Sequence, residues 1–253
     1  MCYSATSILS KKLKLAIRYG NDESKVNQLI EKLKSLDKNH SSYYANAHTH
    51  PKLLTQTNEV GSEAQLIEWG LIPHWCKDID QANKISAMTI NARSETIFEK
   101  PSFRDAARQN RCLIAIDGYF EYLDLNKRKY PFFIQLKQGP IVLAGLWSEW
   151  TDKATGEIKK TSTIVTTQAN DLLKLVHNTK QRMPVVLDEE GQFEWMDLNR
   201  DPTQLFAPYP SSEFKVHSTP PILGNKGVGN NEKAISILEY PELAFTYEEL
   251  KLF

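Results

Sequence analysis

Residues 111–122 read Arg111-Cys112-Leu113-Ile114-Ala115-Ile116-Asp117-Gly118-Tyr119-Phe120-Glu121-Tyr122. Cys112 to Ile116 is an unbroken apolar run of strand length, and Asp-Gly then interrupts it. The pattern is that of a strand ending in a glycine kink, with Glu121 set between aromatics beyond it. Three more apolar or β-branched runs follow: Tyr130 to Lys137, Ile141 to Trp150 and Lys160 to Thr167. LNKRK, KQG and DKATGE separate them as turns. This block predicts an α+β fold: a single compact domain, residues 1–253, with a mixed, mostly antiparallel β core flanked by helices.

The flanks supply the helices. Val26, Leu29, Ile30, Leu33 and Leu36 recur at helical spacing within Asp22 to Lys38, which predicts an amphipathic packing helix. Asn39 to Glu68 suits loop and short strands. Glu95 to Asn110 is expected to be helical with a break at Pro101. Ala169 to His177 is expected as a short helix with Leu172, Leu173 and Val176 inward. Pro184 to Leu187 and Phe214 to Ser218 are expected strands, PPILGNKGVGNNE a flexible loop, and FTYEELKLF a terminal helix.

Composition narrows the function classes. Lys plus Arg equals Asp plus Glu, 31 each, so a nucleic-acid face would have to be a local patch on a neutral whole. The three cysteines, Cys2, Cys76 and Cys112, are odd in number and far apart, which suits a reducing compartment better than a disulfide framework. No Cys/His cluster has zinc-site spacing, so no metal and no cofactor are expected. His48 and His50 are expected in an exposed loop. The start lacks a signal-peptide pattern, and no run approaches the roughly 20 apolar residues of a membrane span. A cytoplasmic monomer without membrane contact is the expectation.

Cys2 carries distinctive chemistry. Removal of Met1 would leave an α-amine and a thiol on adjacent carbons. Such an aminothiol condenses with an aldehyde to an imine, and the thiol then closes a five-membered thiazolidine. The amine has a reference pKa of about 8, so part of it is neutral at physiological pH. Taken alone, a cysteine at position 2 is better read as a matter of chance.

Four other segments set polar residues in core-like surroundings. Trp69-Gly70-Leu71-Ile72-Pro73-His74-Trp75 reads as core, or as a rigid platform for a base. In Asn91-Ala92-Arg93-Ser94-Glu95-Thr96, Ser94 suits a helix cap, which leaves Asn91 as an orienting amide and Arg93 as a phosphate-binding cation. Glu121 is either a carboxyl with a raised pKa or a glutamate on the solvent face of its strand. Cys112 suits a buried small hydrophobe. In Val176-His177-Asn178-Thr179-Lys180-Gln181-Arg182-Met183-Pro184, His177 either complements a helix dipole or does acid–base work.

Cys2 at the start, WGLIPHW, NARSET, RCLIAIDGYFEY and HNTKQRMPVVL stand in the order seen in the SRAP family, the SOS response-associated peptidase-like proteins. The chain resembles that family from Cys2 to about Pro221. The resemblance implies the SRAP fold and a protein that crosslinks covalently to abasic sites in single-stranded DNA through a thiazolidine at Cys2, shielding the lesion in the response to DNA damage. It further implies autocatalytic removal of residues before Cys2, a peptidase or hydrolase activity, and a lyase side reaction. It makes Cys2 the nucleophile, Asn91 the group that orients its terminus, Glu121 the proton shuttle and His177 the acid for ring opening, with the last two roles exchangeable. Arg93 and Arg182 would hold phosphates, and Trp69, Pro73 and Trp75 would shape the DNA cleft. The chain departs from the common pattern at Ser4, where many relatives carry Arg, at NAHTHP near residue 46, and by three extra residues between His177 and Arg182.

Two rival readings follow from the same residues. An N-terminal nucleophile hydrolase of the amidotransferase kind would also begin with cysteine, and it requires an αββα sandwich. A plain DNA-binding module would bind reversibly and with strong salt dependence.

Overall fold

The computed structural model describes residues 4–7, 42–59 and 63–253. The helix expected over 22–38 lies outside them, as does Cys2. The strands are β1 (Ser4–Ser7), β2 (Ser42–Asn46), β3 (Lys52–Thr57), β4 (Gln65–Trp69), β5 (Asn91–Arg93) and β6 (Arg111–Ile116). They continue with β7 (Gly118–Leu125), β8 (Arg128–Leu136), β9 (Ile141–Thr151), β10 (Ile158–Gln168), β11 (Arg182–Pro184) and β12 (Phe214–Ser218). The helices are α1 (Ile79–Ser86), α2 (Arg104–Gln109), α3 (Asp171–Val176), α4 (Glu189–Met196) and α5 (Ala244–Leu250).

The strands form two sheets. The first is antiparallel with order β12-β8-β7-β1-β2. The second runs β11-β10-β4-β3-β6-β9, and β9 pairs again with β10, so this sheet closes into a barrel. The parallel pairings are β10 with β4 and β10 with β5. The result is the expected α+β class with a mixed, mostly antiparallel core. A closed sheet is not half of an αββα sandwich, which removes the architecture that the hydrolase reading requires.

The opening stretch proves to be two strands, one in each sheet. Burial explains its composition. Cys112, Ile114 and Ile116 of β6 enter one apolar cluster, whereas Leu113 and Ala115 enter another on the opposite face. A strand buried on both faces is apolar without alternation. Asp117 then donates its N–H to the Thr6 carbonyl at 2.9 Å, and the chain crosses to the other sheet. Gly118 is required there by close approach: a Cβ would strike the Phe133 ring and lie 2.6 Å from the Ile134 carbonyl oxygen.

The β7–β8 hairpin turns on Asn126 and Lys127, whose φ angles of 52° and 63° are those of a type I′ turn, the form whose twist matches the flanking strands. Period two then fixes the orientation of β7. Tyr119 and Leu123 belong to the central apolar cluster, and Glu121 between them shares their face. The alternative of a solvent-facing Glu121 is thereby excluded.

Local expectations shift in several places. Ser94 does not cap a helix. It opens a 3-10 turn, Ser94–Thr96, without a side-chain cap bond, and α2 starts only after Pro101. The strand expected at Pro184 to Leu187 is centred earlier, with Val186 bridging Leu143. His48 lies within the 3-10 turn Ala47–Thr49 and His50 caps its end, where His50 Nδ1 meets the Trp69 carbonyl at 2.7 Å. The loop near residue 225 is tethered: Val228 N–H bonds the Pro221 carbonyl at 2.9 Å, Ile222 is buried, and Asn230 Oδ1 accepts the Tyr44 N–H at 3.0 Å.

Candidate active site

Glu121 is 4% exposed and His177 5%. His177 is the C-terminal cap of α3, a helix started by Asn170 Oδ1 accepting the Leu173 N–H and packed inward through Leu172, Leu173 and Val176. The cap position brings the imidazole against β7, with His177 Nδ1 3.4 Å from Glu121 Oε2.

Burial sets the protonation of both groups. It pushes the Glu121 carboxyl up to about 7, against the nearby Lys180 cation, which favours the carboxylate. Burial holds the His177 imidazole down at about 4, Lys180 acting in the same direction and the Arg182 carbonyl against it. The contact is therefore no ion pair at neutral pH. His177 Nδ1 lies 2.9 Å from the Arg182 carbonyl. A carbonyl oxygen only accepts, so Nδ1 carries the proton and Nε2 carries the lone pair. Near pH 7 the site holds a half-titrated carboxyl beside a neutral imidazole, a combination able to give and take protons.

These two residues share a cleft of about 170 Å³ with Phe120, Tyr122, Asp124, Lys129, Thr179 and Lys180. Ligand pockets usually begin near roughly 300 Å³, so this one suits a small polar group. A larger groove, about 460 Å³, lies along α4 between Glu190, Phe193, Glu194, Met196, Asp197 and Arg200. It contains none of the residues that the sequence marks for chemistry.

The end of β10 gathers the other expected residues. Arg93 of β5 lies opposite Thr166, and Arg182 of β11 opposite Gln168. Asn91 pairs with Ile164 and is half-buried, and Arg93 is exposed. Arg182 departs from the expectation of a phosphate-holding cation. Its guanidinium makes a bidentate bond to Glu95, at 2.5 and 2.9 Å, and donates to the Thr166 carbonyl at 2.6 Å. That bond holds the Glu95 carboxyl below its usual range. Arg182 is thus a tie between β11, β10 and the NARSET turn.

The tryptophans separate as well. Trp69 is fully buried and donates its indole N–H to the Ile90 carbonyl at 2.7 Å, so it cannot stack on DNA. Pro73 is buried too. Trp75 is 38% exposed, with its indole N–H 3.2 Å from the Pro101 carbonyl, and is the accessible aromatic of the segment. Sequence reasoning missed Thr179, Lys180 and Lys129. The three extra residues after His177 were the available signal for the first two.

Cys76 and Cys112 are buried, and burial raises both thiols above their ordinary pKa. Neither is placed for nucleophilic work. Among the described residues no group of three His, Cys, Asp or Glu could hold a metal ion. Among them, too, no helix is long and apolar enough to cross a membrane.

The sequence and the fold match known proteins. The SOS response associated peptidase (SRAP) family matches residues 13–225, and the chain belongs to that family. It is 38% identical over 186 residues to Abasic site processing protein YoqW of Bacillus subtilis (strain 168), covering 70% of this chain and 78% of that protein. Abasic site processing protein HMCES of Gallus gallus is 30% identical over 172 residues, 59% of this chain and 50% of that protein. The fold matches a crystal structure of a Bacteroides thetaiotaomicron protein with a TM-score of 0.77 and 32% identity, over 94% of this chain and all of that one.

Proposed function

We propose that this chain processes abasic sites in single-stranded DNA by bonding to them through Cys2, once Met1 is removed. The α-amine adds to the C1 aldehyde of the ring-opened sugar. Loss of one water gives the imine, and addition of the Cys2 sulfur to the imine carbon closes the thiazolidine. Glu121 and His177 move the protons: one supplies the proton that leaves with the hydroxyl as water, and the other takes the proton released by the amine. Asn91 orients the terminus, and Arg93 and Trp75 meet the strand. The peptidase step that frees Cys2 and a lyase side reaction through the imine would draw on the same groups. The relatives' names as abasic site processing proteins support the substrate.

The observation that carries the reading is the buried Glu121–His177 pair at the base of a sugar-sized cleft, next to the strand that follows Cys2. Ala5 of β1 pairs with Tyr119, two residues before Glu121. Two peptide units from Ser4 back to Cys2 reach at most roughly 7 Å.

The test is incubation with an abasic single-stranded oligonucleotide followed by a denaturing gel. A shifted band resistant to heat and high salt is expected for the native chain, absent in Cys2→Ala and much reduced in Cys2→Ser. A stable band with Cys2→Ala rules the chemistry out.

A further inference from the structure

We propose that Lys180, carried over the cleft by the turn Asn178–Gln181, binds the phosphodiester beside the reacting sugar and so selects an abasic strand over a free aldehyde. The inference rests on the reading above and adds a residue to it.

The turn is held at three points. The Gln181 N–H donates to the His177 carbonyl at 3.0 Å, and the Gln181 carbonyl accepts the Ala169 N–H at 2.9 Å. Gln181 itself sits at φ 49°, a left-handed conformation that costs energy in a residue other than glycine and persists only where its surroundings impose it. Asn178 then clasps the main chain of β7. Its Nδ2 donates to the Asp124 carbonyl at 2.8 Å, and its Oδ1 accepts the Asp124 N–H at 3.0 Å. A side-chain amide that copies a strand's donor and acceptor fixes the turn against the sheet.

The effect is to hold Thr179 and Lys180 at the mouth of the cleft that contains Glu121 and His177. Lys180 is exposed and forms no ion pair among the described residues, yet its charge is felt at both buried groups. The other lysine of the cleft, Lys129, stands opposite Asp124 in the β7–β8 register, and it is Lys180, not Lys129, whose charge acts on Glu121 and His177. Arg182, the cation expected here, is committed to Glu95 and Thr166. Lys180 is thus the lysine of the cleft that acts on the buried pair and, exposed and in no ion pair among the described residues, has capacity for an anion. An abasic nucleotide supplies one within a bond or two of its sugar.

The experiment measures adduct formation from 50 to 200 mM salt with two aldehydes, an abasic oligonucleotide and 2-deoxyribose, for the native chain, Lys180→Ala, Lys180→Arg and the distant Lys251→Ala. Single-strand contacts contribute a log–log salt slope of about 0.7 per phosphate. Lys180→Ala is expected to flatten the oligonucleotide slope by about that amount and to cut the oligonucleotide rate about tenfold more than the deoxyribose rate. Lys180→Arg should keep most of both, and Lys251→Ala should match the native chain. An unchanged slope with unchanged selectivity overturns the assignment. So do equal losses on the two aldehydes, which would mean that Lys180 acts through Glu121 and His177. A native chain that forms no adduct with either aldehyde overturns the covalent reading and this inference together. A native chain that reacts while Lys180→Ala behaves identically overturns this inference alone.

Discussion

Glu121 Oε2 and His177 Nδ1 lie 3.4 Å apart without forming an ion pair at neutral pH, because burial shifts each toward its uncharged form. The shifts have opposite consequences for folding. Glu121 rises from 4.5 to about 7, so between those values the native state holds more protons than the unfolded chain, and stability falls as pH rises. His177 drops from 6.5 to about 4, so between those values the unfolded chain holds more, and stability rises with pH. In the native chain the two slopes largely cancel from about pH 4.5 to 6.5. In Glu121→Gln, stability should climb with pH across that window. In His177→Gln it should fall with pH up to about 7. Urea unfolding at several pH values reads this out, and two variants with the flat profile of the native chain would contradict it.

The proposed catalysis by the pair gives a kinetic expectation. General acid–base groups contribute about 10²–10⁴-fold. Glu121→Ala and His177→Ala should each slow adduct formation by at least about tenfold while leaving affinity for undamaged single strands nearly unchanged. The rate of the native chain should titrate near the Glu121 value of about 7, and that inflection should vanish in Glu121→Gln. Parallel loss of rate and affinity would mean that the two residues shape the fold rather than the reaction.

Trp69 and Trp75 divide structure from contact. Trp69→Ala empties a fully buried site and should cost about 3–5 kcal/mol of stability. Trp75→Ala touches a half-exposed ring and should leave stability within about 1 kcal/mol while weakening binding of single strands. Denaturation and fluorescence anisotropy on both variants separate the roles. A stable Trp69→Ala with poor DNA binding would reverse the assignment.

Arg111 is a structural cation. It is 3% exposed, donates to the carbonyls of Ala107, Trp195, Asp197 and Arg200, and lies 5.2 Å over the Trp195 ring. It satisfies the open carbonyls at the end of α4. Arg111→Ala should cost about 3 kcal/mol, since the acceptors stay buried without their donor. Arg111→Lys should not restore it, because one ammonium cannot reproduce the guanidinium fork. A midpoint shift in urea decides, and a Lys variant as stable as the native chain would contradict the geometry.

How much of this was legible depended on the range of the interaction. The long strands and α3 were readable because period and turn chemistry are local. The type I′ turn at Asn126–Lys127 and the inward Leu172, Leu173 and Val176 are of that kind. The split of residues 111–122 between two sheets was not readable, since a strand buried on both faces looks like one continuous run until its partners are known. The placement of Glu121 became certain only when Tyr119 and Leu123 fixed the face of β7. Arg182 was misjudged because its partner, Glu95, is 87 residues away. Trp69 was misjudged because a WG segment reads alike as core and as platform. Lys180 went unseen because the three extra residues after His177 mark an insertion without showing which of its side chains meets the cleft.

The most direct test of the covalent reading is intact mass spectrometry of the chain with an abasic single-stranded oligonucleotide, on protein shown by the same spectrum to lack Met1. A new species at the summed mass less one water, absent in Cys2→Ala, is expected for a thiazolidine at Cys2. Unmodified protein and free oligonucleotide after prolonged incubation would contradict it.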